Sequence, residues 1–248
     1  MKTEWDYTNL AKAYLKRPDY SSDAIDELFK MASINKGDQA CDVGAGVAHL
    51  TLHLLKRGLN VVAVEPNDNM RKYGIQRTTD LKNIKWFEGT GEKTNQSSKS
   101  FNIVTFGSSF NVCNQELAMN ESVRLLKEKG WIAIMWNHRN LKDPLQESIE
   151  EIITTNIPNY DYGNRRADQS DTLQKSNLFT NIETIQGSVI QQQSTTDIIE
   201  AWRSHGTLHR QAGNNFHKII EEIEKLLSKT TPIVDVPYDT RMWVAQVK

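Results

Sequence analysis

The segment Cys41-Asp42-Val43-Gly44-Ala45-Gly46-Val47-Ala48-His49-Leu50 holds the residues whose types and spacing say most about chemistry. An apolar run that ends in Asp-x-Gly-x-Gly and leads into a helical pattern permits a tight turn. Glycine reaches backbone conformations closed to other residues and lets a ligand come close to the main chain. In open α/β sheets such turns lie at the carboxyl ends of strands, where ligands bind. A second acid, Glu65, closes the next apolar run and is followed by Pro66-Asn67. A carboxylate there can accept hydrogen bonds from both hydroxyls of a ribose. Two ligand classes use this layout. A dinucleotide calls for a third glycine beneath its pyrophosphate, but that position is His49, and Asp42 would set negative charge against the phosphates. The same acid suits a ligand that carries an amino group and a sulfonium, which favours S-adenosylmethionine.

These residues need a scaffold, and the alternation of patterns along the chain predicts one. Strand-like apolar runs at Gln39–Val43, Asn60–Glu65, Asn83–Glu88, Phe101–Phe106 and Gly130–Asn137 alternate with helical patterns at 50–56, 68–76 and 115–127. That rhythm predicts a parallel sheet covered on both faces. Two helices, over 9–17 and 21–32, are expected before it, separated by Pro18 and with Ser21 or Ser22 as an N-cap. Beyond residue 140 the spacing predicts a helix over 143–155, a polar insertion over 156–174 that includes Arg165-Arg166, and a strand over 182–190. Helices over 196–209 and 216–227 and a closing strand over 238–247 follow. No repeat or low-complexity linker divides the 248 residues, so one domain is expected, with a core over about 36–140 and 181–248 and cap elements over about 1–35, 141–180 and 195–230.

Acids and bases nearly cancel, at 31 against 30, and no long basic stripe is present, which argues against a nucleic-acid partner. No apolar stretch approaches the roughly 20 residues that span a bilayer, and the N-terminus lacks a basic-then-apolar secretion signal. The two cysteines, Cys41 and Cys113, offer neither a disulfide framework nor metal-ligand spacing. His49 and His53 stand at helical spacing, but with no third ligand pattern no metal site is expected. A cytoplasmic protein without a membrane partner, monomeric or homodimeric, is the expectation.

The ordered set of motifs resembles the class I methyltransferases, the small-molecule branch that includes trans-aconitate and ubiquinone-pathway enzymes. Gln39 to Gly46 is similar to their first motif and Val61 to Met70 to their second. Phe87-Glu88-Gly89-Thr90-Gly91-Glu92 resembles the segment beside the adenine, and Leu125 to Trp131 the turn before the fifth strand, with Glu128 and Lys129 in place of the usual proline and glycine. Ala13 to Tyr20, Trp136-Asn137-His138-Arg139 and Tyr238 to Ala245 also resemble that branch. The resemblance implies a doubly wound, Rossmann-like, seven-stranded and mostly parallel sheet with an antiparallel last strand, N-terminal helices and a helical insertion capping the active site. It implies S-adenosylmethionine as cofactor. Asp42, Gly44, Ala45 and Gly46 would meet its methionine end, Glu65, Pro66, Asn67 and Met70 its adenosine. Gly89, Thr90, Gly91 and Glu92 would border the adenine, and Gly107 and Ser108 the sulfonium. Phe110-Asn111-Val112-Cys113-Asn114 departs from the His-Trp pair of many relatives, and the Asn/Asp-Pro-Pro-Tyr/Phe signature of amino-methylating enzymes is absent.

Methyl transfer is an in-line displacement, and it needs a base only if the nucleophile must lose a proton. His138, after the fifth strand, is the first candidate base, and His205, on an expected lid helix, the second. Tyr14, Arg17, Asn111, Arg139 and Trp202 are candidate contacts to a small-molecule acceptor, an oxygen or nitrogen nucleophile on a polar metabolite or sugar. An NAD-dependent oxidoreductase, and a catalytically silent relative that only binds, are the competing readings.

Overall fold

In the computed structural model, which describes residues 11–162 and 167–248, seven strands form one sheet in the order β3-β2-β1-β4-β5-β7-β6. The strands are β1 (Gln39–Val43), β2 (Asn60–Val64), β3 (Ile84–Phe87), β4 (Phe101–Gly107), β5 (Leu126–Arg139), β6 (Phe179–Ser194) and β7 (Ile233–Val247). The first five run parallel, whereas β7 is antiparallel to both β5 and β6. The expected architecture, with its antiparallel last strand, is the one observed. β1 and β4 are buried along nearly their whole length because helices cover both faces of the sheet.

One face carries α2 (Ser22–Met31) and α3 (His49–Lys56), whose Ile25, Leu28, Leu50 and Leu54 pack on Ala40, Ile103 and Met135. The other carries α5 (Gln115–Leu125), with Met119 and Leu125 against Val104, Ile132, Trp136 and Trp243. α4 (Asp68–Arg77) follows β2. Its Met70 meets Ala11 and Val47, joining it to the short α1 (Ala11–Tyr14). A third apolar cluster holds the cap: α6 (Pro144–Asn156), α8 (Thr195–Arg203), α9 (Gly206–Ala212) and α10 (Phe216–Leu227) share Ile149, Ile153, Trp202, Leu208, Ile219 and Ile223.

Local chemistry starts most of these helices. Ser21, Asn67, Asn114, Asp143 and Ser194 each accept a first-turn backbone N–H, and Pro144 follows Asp143 at the first helical position. Four expectations need correction. The helix expected over 9–17 covers only 11–14 among the described residues, since an X-Pro pair favours extended backbone, and residues 15–20 continue as a strap. The helix expected over 196–209 is two helices. Extended His205 breaks it and caps α9, its Nδ1 accepting the Leu208 N–H at 3.2 Å. β5 starts at Leu126, not Gly130, because a bulge with Lys129 at φ 59° lets Leu126 pair with Phe101. β6 and β7 run well beyond the expected 182–190 and 238–247, with Gln191, Gln192, Gln193 and Ser194 paired to Val236, Asp235, Val234 and Ile233. In the polar insertion, α7 (Ser170–Lys175) buries Leu173 under the sheet; Arg165-Arg166 lies outside the described residues. Among the described residues no helix is long and apolar enough to cross a membrane, and no group of three His, Cys, Asp or Glu is placed to hold a metal.

Candidate active site

A cavity of about 900 Å³ opens at the carboxyl ends of β1, β2, β4 and β5, beneath the 15–20 strap and the cap helices. It is at the large end of the roughly 300–1,000 Å³ of ligand pockets, with room for two small molecules. Its floor is the β1–α3 turn, where Gly44 and Gly46 both take positive φ, at 67° and 56°. A Cβ on Gly44 would collide with Ser109, while one on Gly46 would come no nearer to its surroundings than Gly44 O at 4.0 Å. The turn therefore needs one glycine for close packing, and at the other it leaves bare backbone facing space.

Asp42 is fully buried at the end of β1 and accepts hydrogen bonds from Thr51 Oγ1 at 2.6 Å and Thr105 Oγ1 at 2.9 Å. Burial pushes its pKa up to about 6, against the pull of the two threonines. Glu65, just past β2, accepts the Gly46 N–H at 2.9 Å on Oε2 and the Asn67 N–H at 2.8 Å on Oε1. Burial lifts it to about 7, outweighing these hydrogen bonds and the Arg71 guanidinium. Each Glu65 oxygen still has acceptor capacity, as vicinal hydroxyls would need. Asn67 Oδ1 caps α4 by accepting from Asn69 and Met70. Glu92 accepts the Asn114 N–H at 2.7 Å, which closes the adjoining loop.

The carboxyl end of β4 is strained. Ser108 takes φ 60°, a left-handed conformation that costs a non-glycine residue roughly 1–3 kcal/mol. Its N–H donates to Met135 O at 2.9 Å, and its Oγ lies 3.0 Å from the Tyr20 hydroxyl. Burial drives the Tyr20 pKa upward, with the Ser108 contact opposing. Tyr20 ends the strap, which is tied down along its length. Tyr14 O meets His49 Nε2 at 2.9 Å, Lys16 O accepts from Gln193 at 3.2 Å, and Asp19 O accepts from Asn137 at 2.7 Å.

The remaining wall comes from the end of β5, α8 and β7. His138 is buried, paired with Asp239 of β7 in the sheet, and within β5 rather than after it. The Arg139 guanidinium lies over the Trp202 ring at 4.2 Å, and the Arg17 guanidinium over the Tyr14 ring at 4.7 Å. Tyr238 donates to Gln193 Oε1 at 3.2 Å, and burial raises its pKa while Arg139 and Arg17 draw it down. His205 Nδ1 is engaged as the α9 cap, and its ring lies against Trp202. Asn111 Oδ1 accepts from Trp136 Nε1 at 3.1 Å.

All the residues expected from the sequence line this one cavity except Gly89. Gly89 is instead packed tightly, since a Cβ there would meet Val64 Cγ1 at 2.8 Å and Thr94 O at 2.9 Å. The sequence reading missed Tyr20, Ser109, Gln193, Tyr160, Tyr162 and Tyr238, which also line the cavity. Tyr20 closes the motif-like Lys16-Arg17-Pro18-Asp19-Tyr20 and Tyr238 opens the segment Tyr238 to Ala245, so both could have been suspected; the others carry no local signal.

Comparison with known proteins fits this geometry. The methyltransferase-domain family matches residues 41–134, from β1 through most of β5. An uncharacterised methyltransferase of Mycobacterium tuberculosis is 30% identical over 140 residues, 55% of this chain and 54% of that protein. The demethylmenaquinone methyltransferase of Staphylococcus carnosus is 29% identical over 107 residues, 42% of this chain and 44% of that one. The matched stretch spans about half the length of the curated relatives. Among solved structures, the YcgJ protein of Bacillus subtilis superposes with a TM-score of 0.57 at 14% identity, covering 91% of this chain and 98% of that one. Phosphoethanolamine N-methyltransferase 2 of Haemonchus contortus, solved with phosphomonomethylethanolamine and S-adenosylhomocysteine, gives 0.56 at 14% identity, covering 96% and 56%. At these identities the structural likeness is one of fold. Residues 41–134 thus match the methyltransferase-domain family, and the chain shares its fold with phosphoethanolamine N-methyltransferase 2.

Proposed function

We propose that the chain transfers the methyl group of S-adenosylmethionine to a small-molecule acceptor, an oxygen or nitrogen nucleophile on a polar metabolite. The observation that carries this reading is the convergence of bare Gly46 backbone, buried Asp42 and buried Glu65 on one end of a two-ligand cavity. Buried carboxylates with raised pKa values suit a cationic ligand, and Asp42 beside the glycine turn is poorly suited to a diphosphate.

In this reading Gly44, Ala45 and Gly46 receive the methionine end and Asp42 faces its ammonium. Glu65 takes the ribose hydroxyls, with Pro66, Asn67 and Met70 beside the adenosine and Thr90, Gly91 and Glu92 beside the adenine. Gly107 and Ser108 stand near the sulfur. When bound, the cofactor supplies a methyl group on a positively charged sulfur. The chain's own work is alignment and exclusion of water. The tied strap and the cap helices cover the cavity, and Tyr20 with Ser108 fixes the carboxyl end of β4. His138 is the candidate to accept a proton from the acceptor. His205 is less suited, because its Nδ1 already serves α9. Core and cap act as one unit around the shared cavity.

Calorimetric titration with S-adenosylmethionine, S-adenosylhomocysteine and NAD(H) tests the reading. Binding of the two adenosyl ligands, lost in Asp42→Ala, is expected. Binding of NAD(H) in their place would overturn it.

A further inference from the structure

We infer that the acceptor carries an anionic group, a carboxylate or a phosphate, which seats against Arg17 and Arg139 in the part of the cavity walled by the strap, β5, α8 and β7. The inference deepens the methyl-transfer reading and rests on it.

Three observations carry it. First, Arg17 lines the cavity, yet its Nε is buried with no hydrogen-bond partner, and among the described residues no carboxylate pairs with it. A buried donor left unsatisfied is costly, and this one belongs to a group that is always charged. Its neighbour Lys16, by contrast, has Asp197 at 3.2 Å. Second, both guanidinium groups lie over aromatic rings, Arg17 on Tyr14 and Arg139 on Trp202. Stacking holds the planar fork in place, and that fork matches the geometry of carboxylate and phosphate oxygens.

Third, the charges of the cavity are divided. The carboxylates that line the cavity, Asp42, Glu65 and Glu92, stand at or after the carboxyl ends of β1, β2 and β3, whereas its two lining guanidinium groups, Arg139 and Arg17, both lie near enough to Tyr238 of β7 to act on it. Glu150, 3.6 Å from Arg139, offsets one of the two positive charges and leaves the other for a ligand. A neutral sugar would leave Arg17 as it stands, charged and unmatched.

The test is calorimetric titration of the S-adenosylhomocysteine-saturated protein with succinate, with inorganic phosphate, and with succinamide as the uncharged counterpart of succinate. Saturable binding of succinate or phosphate is expected, with succinamide at least about tenfold weaker. The stronger of the two anions identifies which oxyanion geometry the site prefers. In Arg17→Met the anion should bind about tenfold or more weakly, and Arg17→Lys should recover part of that loss. Affinity for S-adenosylhomocysteine should stay within about twofold in both variants, which also reports that they fold. Equal binding of succinamide and succinate, undiminished anion binding by Arg17→Met, or no anion binding by the loaded protein would each overturn the inference alone. Failure of the wild-type protein to bind S-adenosylhomocysteine would overturn the methyl-transfer reading and this inference with it.

Discussion

Acidification should weaken cofactor binding by an amount the two buried carboxylates set. In the free protein burial places Asp42 at about 6 and Glu65 at about 7. A ligand that brings a sulfonium and an ammonium to Asp42 and hydroxyls to Glu65 favours both ionised forms, so binding expels whatever protons they hold. With those two values and both groups ionised in the complex, affinity should rise about fifteenfold between pH 6 and pH 7.5, or about 1.6 kcal/mol. The number of protons released on binding should be about 1.4 at pH 6 and about 0.3 at pH 7.5. The ligand's own α-ammonium, with a pKa near 8, stays mostly charged over this range. Calorimetry in two buffers of different ionisation enthalpy reads both the affinity and the proton count. A constant affinity across this range, with an enthalpy independent of buffer, would refute the electrostatic account of the cofactor end. The free protein should show the opposite slope. Both pKa values lie above those of the unfolded chain, so the native state holds the extra protons between about pH 4 and 7. The contribution of these groups to stability is therefore greatest below that window and falls as pH rises through it, by roughly 3 kcal/mol each.

Gly44→Ala should destabilise the fold by about 2–4 kcal/mol and abolish cofactor binding, because φ 67° is strained for alanine and its Cβ would collide with Ser109. Urea unfolding reads the first effect, and an unchanged midpoint would count against it. His205→Ala should lower stability by about 1 kcal/mol through loss of the α9 cap, and His205→Asn should restore most of that, both read by thermal unfolding. Equal melting temperatures for the two variants would remove the capping role. Ile219→Ala, in the cluster that joins α6, α8 and α10, should cost about 2–5 kcal/mol. Because that cluster is separate from the sheet's two cores, proteolysis of the variant should begin in the cap; first cleavage within the sheet would contradict that separation. If His138 is the base, His138→Gln should lower kcat by about 10²–10⁴-fold with little change in cofactor affinity, and a kcat within threefold of wild type would exclude the role.

The glycine-turn end of this cavity was legible because its determinants are local. The Asp42–Gly46 turn, Glu65 after β2 and the Asn67 cap each sit within a few residues of the strand that carries them, so spacing alone brings them to one sheet edge. The opposite end was legible only in part. Arg139 follows from its place at the end of β5 and Tyr238 from its place at the start of the expected closing strand, but Gln193 and Tyr160 reach the cavity through the long β6 strand and the insertion, whose polar residues carry no strand period. That Gly89 packs tightly and does not line the cavity was hidden for a related reason, since a glycine that allows close packing and one that faces a ligand look alike in sequence. His205 looked like a residue within a helix because nothing in Trp202-Arg203-Ser204-His205 forbids a helix; packing of α9 on the cap cluster decides the break.

The place of β7 has a consequence for the birth of the protein. The last of these seven strands in chain order is inserted between β5 and β6, and it is the partner through which β6 joins the sheet. During synthesis β6 must therefore wait with its ladder groups unmatched until residues 233–247 have left the ribosome. The sheet closes from its middle outward, and it is not finished in the order in which it is read. A nascent chain stalled before residue 233 should hold the edge where His138 pairs with Asp239 open to solvent. It should thus have the glycine-turn floor of the cavity before it has the wall built on β7.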